Sequence, residues 1–432
     1  MTSAGTAVRE DDVVVQHEVV DSNRQVRQRL GRGAAFVLLG AITIVFVALK
    51  IPGGADSRLT FGKAFSAQLD LVVPGRTVAL ALGVLVILLG AWQLVRGFGR
   101  RTLPWAAFVA FVAFMVAFLR WVSVRGTAAV DILGLLQNSI ALAVPLVLGA
   151  LAGVLCERSG VINVAIEGQM LSGAWAGALI GSLVGSYFGL VAAAVAGALM
   201  GVLLAVFSIK YLVNQVVLGV VLNVLALGLT GFFYDAFMQP NAATLNQPAV
   251  LGEIDIPGLS QIPVIGPLLF QANIVVYLAY VLIIVIDVAL FRTRWGLRTR
   301  AVGEHPKAAD TVGIRVLRVR YRNVLLGGAV AGLGGAYFTL GSVGAFSKNI
   351  TSGNGFIALA ALIFGRWSPL GAVGASLLFG FASALQIMLS INVPLIPSNF
   401  LAMLPYLATI FAVAGLVGKV RAPAADGEPY VK

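Results

Sequence analysis

The sequence predicts an all-α protein, a polytopic transmembrane helical bundle of about 10–12 spans in which one or two segments are broken or re-entrant. Three observations predict it. Apolar residues make up 59% of the 432 residues and charged residues only 11%, against about 25% charged in a soluble chain. The apolar residues come in unbroken runs near the roughly 20 residues that cross a bilayer as a helix, not in the alternation of a β-barrel. The basic residues collect in a few connections, as they do on the cytoplasmic side of membrane proteins. This composition excludes a soluble enzyme, a disordered chain and a nucleic-acid-binding domain, and the net charge of +12 reports cytoplasmic loops.

Residues 1–32 read as a polar cytoplasmic tail. It is acidic early (Glu10, Asp11, Asp12, Glu18, Asp21) and basic late (Arg24, Arg27, Arg29, Arg32), with no cleavage site behind the first apolar run. Spans are expected near 34–50, 72–95, 103–120, 131–155, 163–184, 188–208, 213–235, 273–291, 322–341, 355–366, 370–390 and 400–418. The run at 355–366 is too short to cross alone and reads as a half-helix or re-entrant segment. The run at 163–184 opens on Asn163 and Glu167, is rich in glycine, and is expected to be broken as well. The expected organisation is N-terminal spans over 33–130 that include an added hairpin, a core over 131–419, and a cytoplasmic tail over 420–432.

Charge orients these spans. Segment 292–322 carries Arg292, Arg294, Arg298, Arg300, Lys307, Arg315, Arg318, Arg320 and Arg322 against only Glu304 and Asp310, so it belongs in the cytoplasm. Segment 236–272 has no Lys or Arg and faces outward. Both termini then lie in the cytoplasm of a multi-pass cell-membrane protein.

No phosphate loop of the form G-x-x-x-x-G-K-[ST] is present, and no H-E-x-x-H or G-x-S-x-G pattern. Cys156 is the sole cysteine, and His17 and His305 are the only histidines, so neither a metal site nor a cofactor is expected. An enzyme is therefore not expected, and transport is. Asn163, Glu167, Asn214 and Asn223 stand in or beside apolar runs, where a carboxylate costs about 2.5–3.5 kcal/mol on insertion scales. They read as the lining of a substrate pathway, with hydrogen bonding between helices as the alternative. Glu167, four residues after Asn163, should share its helix face. Asp287 is expected to pair with Arg292 or Arg294. Gly327, Gly328, Gly332, Gly334 and Gly335 suggest close helix packing. Trp92, Trp105, Trp121, Trp295 and Trp367 read as interfacial anchors. A short helix with Pro306 in its first turn is expected inside 292–322, either solvated against anionic membrane lipid or docking a cytoplasmic partner.

Arg300-Ala301-Val302-Gly303-Glu304, then Pro306, Ala308-Ala309 and Gly313-Ile314, resembles the coupling segment of permease subunits in ABC importers of the ribose and branched-chain amino acid permease family. Glu157-Arg158-Ser159-Gly160-Val161-Ile162-Asn163, followed by Ile166-Glu167-Gly168, is similar to the nucleoside-type branch. Gly355-Phe356, Ile357-Ala358, Gly365 and Pro369-Leu370-Gly371 are a third match, in the expected order. The resemblance covers roughly 131–419 and implies a permease subunit that moves a nucleoside by alternating access. It implies a second permease subunit of a different sequence, a cytoplasmic ABC ATPase and an external substrate-binding lipoprotein. Arg300, Gly303, Glu304, His305, Pro306, Ala308 and Ala309 would contact the ATPase. Gly303, Ala308 and Ala309 would permit close approach, and Asn163 and Glu167 would lie by the substrate route. His305 stands where the family often has Asn, and Val164-Ala165 where Leu-Gly is more usual. Residues 160–177 and 353–371, both glycine-rich and polar at the start, hint at an internal repeat of broken segments. The alternatives are a ribose or galactose permease of the same type, a twelve-span secondary transporter, and a membrane enzyme or scaffold.

Overall fold

The computed structural model describes residues 10–60, 70–99, 101–125, 130–392, 400, 403 and 421–431. Among these, nine helices are long and apolar enough to cross a membrane. They coincide with nine of the expected spans. The expected last span, at 400–418, lies outside the described residues apart from two positions.

The chain divides into two compact units. The first takes residues 1–132 and 391–395. It holds α1 (Glu10–Ile42), α2 (Gly75–Val95) and α3 (Leu103–Arg125), with the short strands β1 (Asp56–Thr60), β2 (Asp70–Pro74) and β3 (Val130–Asp131). β1 lies between β2, antiparallel, and β3, parallel. α1 and the turn that continues it meet α2 where a glycine of one side faces an aliphatic side chain of the other: Gly33 faces Leu94, Gly40 faces Ile87, Gly83 faces Ile44 and Gly90 faces Val37. Small residues let the backbones approach, and packing takes the place of a hydrophobic driving force that lipid does not supply. Arg120 is buried on α3 and donates from Nη1 to Ser57 Oγ at 2.6 Å, tying the helix to the strands.

The second unit takes residues 133–390 and 396–432. At its centre runs α4 (Ile132–Glu157), buried on every side from Ala143 to its end. α5 (Ile166–Val184) packs against it, and α6 (Ser186–Ala205) and α7 (Gln215–Phe233) pack on α5. The helical turn α8 (Ala242–Leu245), strand β4 (Glu253–Asp255), the helical turn α9 (Ile265–Leu269) and strand β5 (Gln271–Asn273) lead to α10 (Ile274–Arg292). Then come α11 (Arg294–Glu304), α12 (Pro306–Thr311), α13 (Val316–Ala336), α14 (Asn354–Phe364) and α15 (Pro369–Asn392). α6, α7 and α13 each finish in a wider π-type turn.

The two segments expected to be broken behave differently. α14 has 11 residues, about 16 Å of helix against a hydrocarbon core of roughly 30 Å, and is a half-helix. α5 is unbroken over 19 residues. The interruption lies just ahead of it, at 161–165, because Asn163 sits in the approach to the helix and not on its face. Asn163 and Glu167 therefore do not share a helix face. Segment 292–322 holds two helices, α11 and α12, with Pro306 opening the second. α11 forms because Gly296, Thr299, Val302 and Gly303 recur at helical spacing and are buried, while Arg298 and Leu297 stay exposed.

Asp287 makes no ion pair with Arg292 or Arg294 among the described residues. Thr293 is extended and turns the chain into α11, carrying Arg294 off the face of α10. Of the tryptophans expected at the interface, Trp105 is 71% exposed but Trp367 only 7%. Trp367 is held inside because its indole nitrogen has a buried partner.

α5, α6 and α13 pack backbone to backbone. A methyl group on Gly335 would collide with the Met170 carbonyl oxygen of α5, and one on Gly332 with the Ala193 carbonyl oxygen of α6. We expect Gly335→Ala to force these helices apart and destabilise the protein by about 1–3 kcal/mol, the usual effect of overpacking. Gly228→Ala, with open space around the site, should be neutral or mildly stabilising. Thermal unfolding in detergent compares the two; equal midpoints would refute the packing argument.

Candidate functional site

Two buried carboxyl groups organise the second unit. Glu167, in the first turn of α5, is 7% exposed. Its Oε1 accepts from the Thr351 hydroxyl at 2.6 Å and the Gly353 amide at 2.8 Å, and its Oε2 from the Gly355 amide at 2.6 Å. These donors stand at the start of α14, where the free N–H groups and the positive end of the helix favour a carboxylate. Glu157 ends α4 and is 3% exposed; its Oε2 accepts from Trp367 Nε1 at 2.5 Å. Arg158 donates from Nε to the Trp367 carbonyl at 2.7 Å and from Nη2 to the Arg366 carbonyl at 3.3 Å. Burial lowers the basicity of Arg158, with nearby Glu304 opposing. Segment 353–367 is thus pinned at its start by Glu167 and at its end by Glu157 and Arg158.

The other polar residues expected along a pathway serve as cross-links. Asn223 Oδ1 accepts from the Gly168 amide at 2.8 Å and its Nδ2 donates to the Val164 carbonyl at 2.9 Å. Asn163 is fully buried and donates from Nδ2 to Gln169 Oε1 at 3.0 Å. Asn214 is an exposed N-cap of α7, accepting from the Val216 and Val217 amides. The pairing of Glu157 with Trp367 escaped the sequence reading, which named the first only within a motif and the second as an interfacial anchor. The signal was a charged residue ending a long apolar run.

The basic connection folds against the end of the unit where α4 finishes. Gly303 is buried, and a methyl there would strike the Arg158 carbonyl. Ala309 is buried with Val302 and Val316. These small residues permit close approach to the chain's own core. Glu304, His305, Lys307 and Ala308 face outward. Arg300 lies half-buried, its guanidinium 5.1 Å from the Phe291 ring centre. Pro306 occupies the first turn of α12. A cavity of about 790 Å³ opens between α11 and the start of α13, lined by Arg298, Arg315, Arg318 and Arg322 with the exposed Leu297 and Val312. At the opposite end, beside β4 and β5, a second cavity of about 440 Å³ is lined by Gln137, Asn138, Gln271, Asn273, Glu253 and Tyr337 and, among the described residues, by no basic side chain.

One helix bundle, pinned half-helix and basic helical pair invite comparison with known proteins. The profile of one family, described as the branched-chain amino acid transport system / permease component, matches residues 135–414. The chain belongs to this permease family. It is 42% identical over 301 residues to the guanosine ABC transporter permease protein NupQ of Bacillus subtilis (strain 168), covering 67% of this chain and 94% of the relative. It is 39% identical over 308 residues to the nucleoside ABC transporter permease protein NupC of Lactococcus lactis subsp. cremoris (strain MG1363), covering 69% and 96%. It is 32% identical over 108 residues to the nucleoside ABC transporter permease protein NupB of the same strain, covering 25% and 30%. No solved structure matches the chain. As its relatives are permease subunits, this chain is a multi-pass transport component and not an enzyme. The family profile begins at residue 135, beyond the first structural unit.

In this permease Glu167 satisfies three donors, of which those of Thr351 and Gly355 are buried. We expect Glu167→Ala to destabilise it by about 2–4 kcal/mol, the effect of leaving buried donors unpaired. Glu167→Gln, which keeps one acceptor oxygen, should lose less. Unfolding midpoints in detergent check this; a wild-type midpoint for the alanine variant would remove Glu167 from its structural role.

Proposed function

We propose that this chain is the membrane-spanning permease subunit of an ATP-driven importer and that its substrate is a nucleoside. The observation that carries the reading is identity of 42% and 39% to permeases named for guanosine and for nucleosides, across 94% and 96% of their lengths. The cavity of about 440 Å³ is consistent with it: amide and phenol groups without a basic clamp suit an uncharged, hydrogen-bonding solute. NupB and NupC come from one strain, which supports pairing with a second, different permease chain. The missing phosphate loop calls for a separate ATPase. An external lipoprotein would deliver the substrate.

On this reading the basic end faces the cytoplasm of the cell and the end with Glu253 and Asp255 faces outward, in accord with the charge rule. The packing of residues 421–431 at the basic end supports a cytoplasmic C-terminus, and the arginines before the first span support a cytoplasmic N-terminus by the charge rule. Residues 33–130 would supply N-terminal spans that include an added hairpin, ahead of a permease core over 131–419. The ATPase would receive the outward face of α11 and α12, with Glu304, His305 and Ala308 in contact and Arg300, Gly303, Pro306 and Ala309 setting the shape behind them. ATP binding in the partner would push on this face and drive alternating access. Asn163, Glu167, Asn214 and Asn223 would support the pathway by holding its walls.

Uptake of labelled guanosine and uridine in a deletion strain tests the substrate. Restoring this gene should restore uptake that excess ribose or glucose does not compete. Uptake of sugar alone would replace the nucleoside reading with the sugar one. Ala308→Arg should reduce co-purified ATPase at least tenfold at unchanged permease abundance; undiminished co-purification would move the docking surface elsewhere.

A further inference from the structure

Residues 421–431 do not hang free of the core: Pro423, Ala425 and Tyr430 are buried. The Ala425 amide donates to the Gly303 carbonyl at 2.9 Å, and the Ala424 amide to Glu304 Oε2 at 3.1 Å. Arg320 on α13 donates from Nη1 to the Glu428 carbonyl at 2.9 Å. The Tyr430 ring packs with Val302 of α11, Ala309 of α12 and Val316 of α13. Between these contacts the Asp426 carboxyl group reaches the buried end of α4 and stands beside the Glu157 carboxyl group, close enough to share a proton with it. Two carboxyl groups can hydrogen-bond each other only if one carries a proton. With Arg320 beside them, the one-proton cluster is neutral, the form that burial favours. Burial first, and the adjacent Glu157 second, push Asp426 well above the usual carboxylate range, with Arg320 pulling the other way.

Seven residues therefore touch every element that meets at this corner. α11 and α12 are otherwise short: 11 and 6 residues, joined through the non-helical His305. Helices of this length are not stable alone in water and take their position from packing. We propose that residues 424–430 are a working part of the coupling apparatus, a strap that holds α11 and α12 on the ends of α4 and α13, with Asp426 as its buried positioning residue. Force applied to the outward face of α11 and α12 then passes to α4 and α13 and is not absorbed by the loop. The proposal rests on the importer reading only for the source of that force. The strap's contacts stand without it.

The test compares the full-length permease with Asp426→Ala and Asp426→Asn. The asparagine amide can donate to the Glu157 carboxylate without a shared proton, so it keeps the anchor. Amide hydrogen exchange in detergent is the first readout. In Asp426→Ala, exchange over residues 294–311 should quicken at least tenfold while the buried part of α4 is unchanged, and Asp426→Asn should restore protection. Unchanged exchange in Asp426→Ala overturns the strap, whatever the partner. The second readout is nucleoside transported per ATP hydrolysed in proteoliposomes holding the whole importer, with the second permease chain, the ATPase and the binding lipoprotein. Asp426→Ala should lower this ratio at least fivefold, and Asp426→Asn should recover it. A wild-type ratio with faster exchange overturns the positioning role. If no ATPase engages even the wild-type chain, the importer reading fails and hydrogen exchange still judges the strap. Should Asp426→Ala fail to accumulate, Tyr430→Ala, which loosens the outer end of the strap, is read by the same two measurements.

Discussion

The carboxyl group of Glu167 is the interaction on which the second unit depends. A helix that begins inside a membrane protein exposes N–H groups that lipid cannot satisfy. α14 begins this way, at Asn354. Glu167 brings two oxygens to three of the donors around that start. The same donors offset the cost of burying the carboxylate, so each side of the contact makes the other tolerable. Gly355 completes it, because a side chain there would press into the Glu167 backbone. The half-helix, the interruption ahead of α5 and the buried acid are one feature.

Glu157 and Arg158 repeat the arrangement at the other end of the same segment, where they hold Arg366 and Trp367. Gly303 rests on the Arg158 backbone. Contacts therefore run without a gap from the basic helical pair through Arg158 to the half-helix, and from its start through Glu167 to α5. The glycine-lined contacts of α5 with α13 and of α13 with α6 extend this solid further. A region packed backbone to backbone has few ways to deform and moves as a body. That suits a part that must transmit a displacement across the unit.

Most of the architecture was legible in the residues. Span positions followed from apolar run lengths, and the division into a basic and an acidic end followed from charge. The glycines of α13 were readable as packing because small residues clustered on one helix have no other physical use there. The site was less legible. Asn163, Asn214 and Asn223 are visible in sequence as polar residues in apolar surroundings. Whether such a residue lines a path or closes a cross-link depends on what faces it from elsewhere in the chain. Glu157 and Asp426 stand 269 positions apart by number, and no local pattern joins them. The C-terminal residues resembled an ordinary polar tail, since a strap held by backbone amides and one tyrosine leaves no periodicity.

The sequence by itself determined the membrane class, the span positions among the described residues and the family, because these depend on composition, run length and motifs that are contiguous in the chain. The tertiary structure decided what the buried polar groups do. Their energies are set by the donor or acceptor a few ångströms away, and that neighbour comes from a distant part of the sequence once the helices have packed.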